Sequence, residues 1–169
     1  EAGLGGRLDA TNLLGNICLT LITSISMDHM DFLGDTLESI AGEKFAVMRT
    51  RTPAVFSGTP ASLVPLFRST ANELGALPNT TVELCSCEEI RNESGRLSYV
   101  YRLLHPALLS SIDAEAKSFY ENTVIPVSTS LRGMYQIENS ALAISGILLL
   151  VSRFPKISTD TIRRGIAAA

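Results

Sequence analysis

The sequence predicts an α/β fold, a parallel sheet with flanking helices to which a small β-rich subregion is attached. Three observations carry that prediction. At 169 residues, 46% apolar and 18% charged, the chain has the size and composition of one packed domain. Strand-like apolar runs alternate with segments of helical period, as βαβ units require. Residues 17–23 (ICLTLIT) are apolar and rich in β-branching, the pattern of a strand buried on both faces.

Taken in order, Gly3, Gly5 and Gly6 predict a tight, close-approach loop, which Asp9 to Asn12 continue. After the strand at 17–23 come Thr23, Ser24, Ser26, Asp28, His29 and Asp31, a polar cluster at the carboxyl end, where open sheets hold ligands. Asp35 to Glu38 has capping-box spacing and predicts a helix whose apolar stripe is Leu37, Ile40, Ala41, Phe45 and Met48. A second parallel strand is expected over 53–57. Thr59-Pro60 begins a helix that runs through about Leu74 and is closed by Gly75, with Pro65 tolerable only if the helix truly starts near Ser62. Residues 81–87, 88–92 and 97–103 read as strands, with Glu93-Ser94-Gly95 as a hairpin turn. Residues 113–120 fit helix or strand. Residues 124–129 read as a strand, 136–153 as a long helix and 159–168 as a short one.

Several classes are excluded. The net charge of −3, without a basic run longer than Arg163-Arg164, gives no electrostatic reason to expect nucleic acid. No apolar run reaches the ~18 residues of a membrane span, and no signal peptide is present. Three cysteines, Cys18, Cys85 and Cys87, make an odd set outside any small disulfide scaffold, so a reducing, cytoplasmic setting is expected. Cys85 and Cys87 share a strand face and have too few partners for zinc.

Three residues near the start could carry chemistry. Glu1 is either a carboxylate ligand for a hard cation or an exposed terminal glutamate. His29, between Asp28 and Asp31, can ligate a metal or hold a phosphate oxygen; the alternative is an ordinary loop histidine. Lys44 falls on the inward stripe of its helix. It can snorkel outward, pair with an acid, or lose its charge and become reactive enough to form a carbamate. A Ser-His-Asp hydrolase lacks its nucleophile-elbow pattern.

The stretch EAGLGGRLDATN, followed by TSISMDHMDFLGDTLESIAGEK, closely resembles the central domain of the folylpolyglutamate synthases and dihydrofolate synthases, relatives of the peptidoglycan Mur ligases. Residues 131–143, with Gln136 and Asn139, resemble that family's G-x-H-Q-x-x-N-A-x-x-A segment. Resemblance runs over nearly the whole chain and is weakest from 75 to 130. It implies an ATP-dependent ligase that joins L-glutamate to a dihydropteroate or folate carboxylate through an acyl phosphate, with ATP and Mg2+ as cofactors. It further implies Glu1 and His29 as magnesium ligands and Lys44 as a carbamylated lysine. Leu8, Asp9 and Ala10 would lie along the pterin substrate, and Asn139 would touch the nucleotide.

On the same resemblance, residues 1–169 are the later part of the ATP-binding central domain. The family's phosphate-binding loop and C-terminal domain are not among them, so a fragment inactive by itself is expected. The chain departs from the pattern at Met30, Phe45 and Tyr135, and Phe45 threatens to crowd Lys44. Two alternatives stay open: a different Mur-type ligase, and a binding module that keeps the fold without the chemistry.

Overall fold

The computed structural model describes residues 5–7, 9–27, 35–105, 117–121 and 123–169. They form two compact units, residues 1–80 and 81–169.

In the first unit a parallel sheet runs in the order β1 (Thr20–Ile22), β2 (Pro53–Phe56), β3 (Leu77–Thr80). The crossovers carry α1 (Leu37–Phe45) between β1 and β2, and α2 (Val64–Leu74) between β2 and β3. β1 is shorter than the predicted strand, because only Thr20 to Ile22 find ladder partners on β2. β3 was not foreseen, since Pro78 and Asn79 obscure its strand pattern; its parallel register on β2 creates it. α1 starts one residue later than predicted. Thr36, not Asp35, is its N-cap, and Thr36 Oγ1 accepts from Ser39 N at 3.1 Å. α2 follows a 3₁₀ turn at Ala61–Leu63 and takes Pro65 in its first turn, where no N–H partner is lost. It ends at Gly75, whose φ of 68° is the left-handed conformation glycine adopts without strain.

Three phenylalanines close this core. Phe45 of α1, Phe56 of β2 and Phe67 of α2 are fully buried, with ring centroids 5.3 to 5.5 Å apart and tilted or edge-on. Ile22, Ile40, Ala41, Ala54, Leu63 and Ala71 pack around them. The stripe predicted for α1 therefore faces inward, and its aromatic member holds both helices to the sheet.

The second unit begins with a single helical turn, α3 (Thr81–Leu84), where a strand was expected. An antiparallel sheet follows in the order β4 (Cys85–Glu93), β5 (Arg96–Leu103), β6 (Val124–Thr129). Residues 85–92 of the two short strands predicted at 81–92 are one strand with a bulge between Glu88 and Arg91, where Glu89 has φ 52°. α4 (Lys117–Tyr120) is a helical turn; residues 113–116 of the ambiguous segment lie outside the described residues. α5 (Tyr135–Leu148) covers the sheet, and α6 (Thr159–Ala168) lies against β6, capped by Ser158 and Thr161 as a capping box.

β5 alternates strictly, burying Leu97, Tyr99, Tyr101 and Leu103 on one face. Its two phenols meet serines of α5: Tyr99 with Ser140 at 2.7 Å and Tyr101 with Ser145 at 3.0 Å. Tyr120 donates to the Leu148 carbonyl at 3.0 Å. Burial pushes the Tyr99 and Tyr101 phenols above their ordinary pKa, so both remain donors at any working pH. Among the described residues no helix is long and apolar enough to cross a membrane.

Truncating the centre of the phenylalanine triangle removes ring contacts to two elements at once. Phe67→Ala is expected to lower the unfolding free energy by about 3–5 kcal/mol, read from the urea midpoint at constant slope.

Candidate functional site

The loops at the carboxyl ends of β1 and β2 are tied together by backbone bonds. Ser57 N donates to Ile22 O at 2.9 Å, and Ile25 N donates to Thr59 O at 3.0 Å. The Ser57 hydroxyl accepts from Thr59 N at 3.2 Å and is buried, while Thr23, Ser24, Ser26 and Thr59 are exposed. Of the polar cluster expected after the first strand, Thr23, Ser24 and Ser26 form an exposed rim, while Asp28, His29 and Asp31 lie outside the described residues. The rim's second half, Ser57-Gly58-Thr59, was missed by sequence reading; a Gly-Thr-Pro run directly behind an apolar strand was the available signal.

The glycine-rich loop reaches the same unit's α1. Gly5 takes φ 70°. Gly6 is buried so tightly that a Cβ there would stand 2.3 Å from the Glu43 carbonyl oxygen and 2.8 Å from a Val47 methyl. No residue but glycine permits that approach. Arg7 pairs with Glu43 at 3.2 Å on the exposed side. Asp9 caps the 3₁₀ turn Ala10–Leu13: its Oδ1 accepts from Thr11 N at 2.8 Å and from the Thr11 hydroxyl at 2.7 Å. The Asn12 side chain donates to the carbonyls of Gly6 at 2.9 Å and Arg7 at 2.6 Å. Arg49, just beyond α1, donates to the Asn12 carbonyl at 3.2 Å and to its side-chain oxygen, and holds the Val47 carbonyl at 2.9 Å. Asn12, Arg49, Thr11, Leu19, Leu21 and Val47 line a cavity of about 200 Å³. Nothing in the sequence pattern singles out Arg49.

Lys44 sits in the last turn of α1, one residue after the Glu43 carbonyl that Gly6 touches. It is half-buried, between the interior stripe and solvent, and a cation there complements the helix's carboxyl end. Among the described residues it makes no ion pair. Phe45 does not crowd it, because that ring lies in the phenylalanine triangle. The glycine loop and Lys44 are thus brought together at one end of α1. Glu1, Leu8 and His29 lie outside the described residues. Ala10 is exposed.

Asn139 belongs to the second unit, half-buried on α5, where its Nδ2 meets Gln136 Oε1 at 3.4 Å. Tyr135, at the family's histidine position, is 63% exposed and lies over Gly133, whose φ is 99°. Among the described residues, no hydrogen-bond partner meets one buried oxygen of Glu138. Among the described residues no three of His, Cys, Asp and Glu gather as a metal site. The donor set expected from the sequence, a carboxylate, an imidazole and a lysine carbamate, suits magnesium through its hard oxygens, the imidazole nitrogen being a softer ligand. Lys44 is its one described member.

No family model matches the chain. It is 33% identical over 170 residues to the dihydrofolate synthase/folylpolyglutamate synthase of Bacillus subtilis, an alignment taking in 100% of this chain and 36% of that protein. Among solved structures, apo FPGS of L. casei superposes with a TM-score of 0.81 at 20% identity, over 99% of this chain and 37% of that one. The folylpolyglutamate synthase of Mycobacterium tuberculosis, solved with ADP and AMPPCP, gives 0.75 at 24% identity, over 99% and 35%. The two structures show the fold; the first comparison shows kinship in sequence. The chain spans little more than a third of the length of these relatives.

The Gly6 contact is directly testable. Gly6→Ala should cost about 1–3 kcal/mol of stability through overpacking against backbone, while Gly42→Ala, with open space around it, should not. Thermal unfolding of the two variants checks this.

Proposed function

We propose, from the kinship of the whole chain with the dihydrofolate synthase/folylpolyglutamate synthases, that it supplies part of an ATP-dependent carboxylate–amine ligase. In this reading residues 1–169 are the later part of the ATP-binding central domain. The complete enzyme phosphorylates the carboxylate of a dihydropteroate or folate with ATP. The L-glutamate amine then attacks the acyl phosphate, forming the amide and releasing phosphate. The observation that carries the reading is the alignment of all 169 residues with one such protein.

The chain's own residues have separable tasks. The Gly5-Gly6 loop, pinned by Asn12 and Arg49, sets Leu8, Asp9 and Ala10 beside the substrate's pterin end. Asp9 has a capping bond to keep while it does so, which fixes its orientation. Glu1 and His29 would hold one Mg2+ and the Lys44 carbamate would assist a second; when bound, these ions neutralise phosphate charge and orient the transferring group. Forming the carbamate requires a neutral Lys44 amine to attack carbon dioxide and release a proton. Asn139 would contact the nucleotide. The family's phosphate-binding loop has no counterpart in the 169 residues, so this polypeptide by itself is expected to ligate nothing.

Three measurements test the reading. The purified chain, given ATP, magnesium, L-glutamate and either pteroate substrate, should form no amide product. In a longer protein containing this segment, ligation should be ATP-dependent, and Lys44→Ala should lower kcat by about a hundredfold or more. Native mass spectrometry in bicarbonate should add one carbon dioxide to the wild type and none to Lys44→Arg. Full activity of the Lys44→Ala protein would remove Lys44 from the site.

A further inference from the structure

The ligase reading leaves one cluster unused, on the covered face of the antiparallel sheet. Cys85 and Cys87 stand two residues apart on β4, opposite Leu103 and Tyr101 of β5, so both side chains leave the sheet on one face. Neither is in a disulfide. Cys85 is 8% exposed and Cys87 is half-buried. Hydroxyls converge on the inner sulfur. Ser145 of α5 donates to Cys85 Sγ at 3.9 Å, and the fully buried Tyr101 hydroxyl bonds Ser145 at 3.0 Å.

The two thiols also bond each other. That bond, with help from Ser145 and Tyr101, holds the Cys85 thiol below its ordinary pKa despite burial. The same bond and burial push Cys87 up. Two thiols on one sheet face can together bind whatever competes with their protons for sulfur.

Such a competitor is a soft metal ion. Zinc demands four ligands, and among the described residues no third Cys, His, Asp or Glu joins the pair. Soft thiolates select Cu(I), which accepts two sulfurs in a linear arrangement. We propose that Cys85 and Cys87 form a two-coordinate site for a soft monovalent cation, with Cu(I) as its physiological occupant. Binding converts two thiols and one Cu(I) into a bis-thiolate complex of charge −1 and releases two protons. The Ser145 and Tyr101 hydroxyls are the donors that meet this charge in a buried place. Half-exposed Cys87 is the entry side. Because Ser145 belongs to α5 and the cysteines to β4, occupancy ties the helix to the sheet.

The test uses the reduced 169-residue chain, titrated without oxygen against Cu(I) held by the coloured chelator bicinchoninate. One Cu(I) per chain should be withdrawn. Cys18→Ser, in the other unit, should match the wild type. Cys87→Ser, at the less buried position, should bind at least about tenfold more weakly, ~1.4 kcal/mol. Copper should also raise the unfolding midpoint of the wild type and leave that of Cys87→Ser unchanged. Circular dichroism establishes that each variant is folded. The proposal is overturned if the folded wild type leaves copper with the chelator, if Cys87→Ser keeps wild-type affinity, or if uptake is lost in Cys18→Ser instead. None of these outcomes bears on the ligase reading, which involves neither cysteine.

Discussion

The first unit is organised by one close approach, that of the Gly6 backbone to the Glu43 carbonyl of α1. Side-chain atoms at position 6 would push the loop away and lengthen every bond that depends on it. Those bonds are several: Arg7 to Glu43, Asn12 to the carbonyls of Gly6 and Arg7, and Arg49 to Asn12. The ion pair itself is exposed and contributes little. The neutral contacts define the geometry, because buried backbone carbonyls must find donors wherever the loop goes. Lys44 is the next residue along α1 from that point of contact.

How far the sequence could be read depends on whether local pattern or long-range register decided each element. The α1 stripe, the Gly75 stop and the β5 alternation are local, and they were legible. β3 was not, because Leu77-Pro78-Asn79-Thr80 has no strand pattern of its own and acquires one from β2. The helical turn at Thr81–Leu84 and the bulge after Glu88 are likewise decided by packing and pairing. At the site, the glycine loop and the polar rim after β1 were visible in the residues. Asn12 and Arg49 were not, since their partners lie 37 residues apart and are backbone or amide groups.

Departures from a family pattern have different physical meanings in this chain. Phe45 departs from the pattern directly after Lys44, yet its ring serves the core. Tyr135 is the reverse case: it is mostly exposed, resting on Gly133, and contributes little to the core. Bulk on the inward stripe is taken up by the core, whereas bulk at a helix's exposed first turn changes only the surface.

The distribution of aromatic side chains has an optical consequence. The chain has no tryptophan, and its four tyrosines, Tyr99, Tyr101, Tyr120 and Tyr135, all belong to the second unit. The described aromatic residues of the first unit are the three phenylalanines of its core. Intrinsic tyrosine emission and near-ultraviolet dichroism therefore watch one unit while leaving the other nearly dark. A denaturation followed by tyrosine signal and by backbone dichroism together would resolve the two units without any label, and coincidence of the two curves would mean that they melt as one.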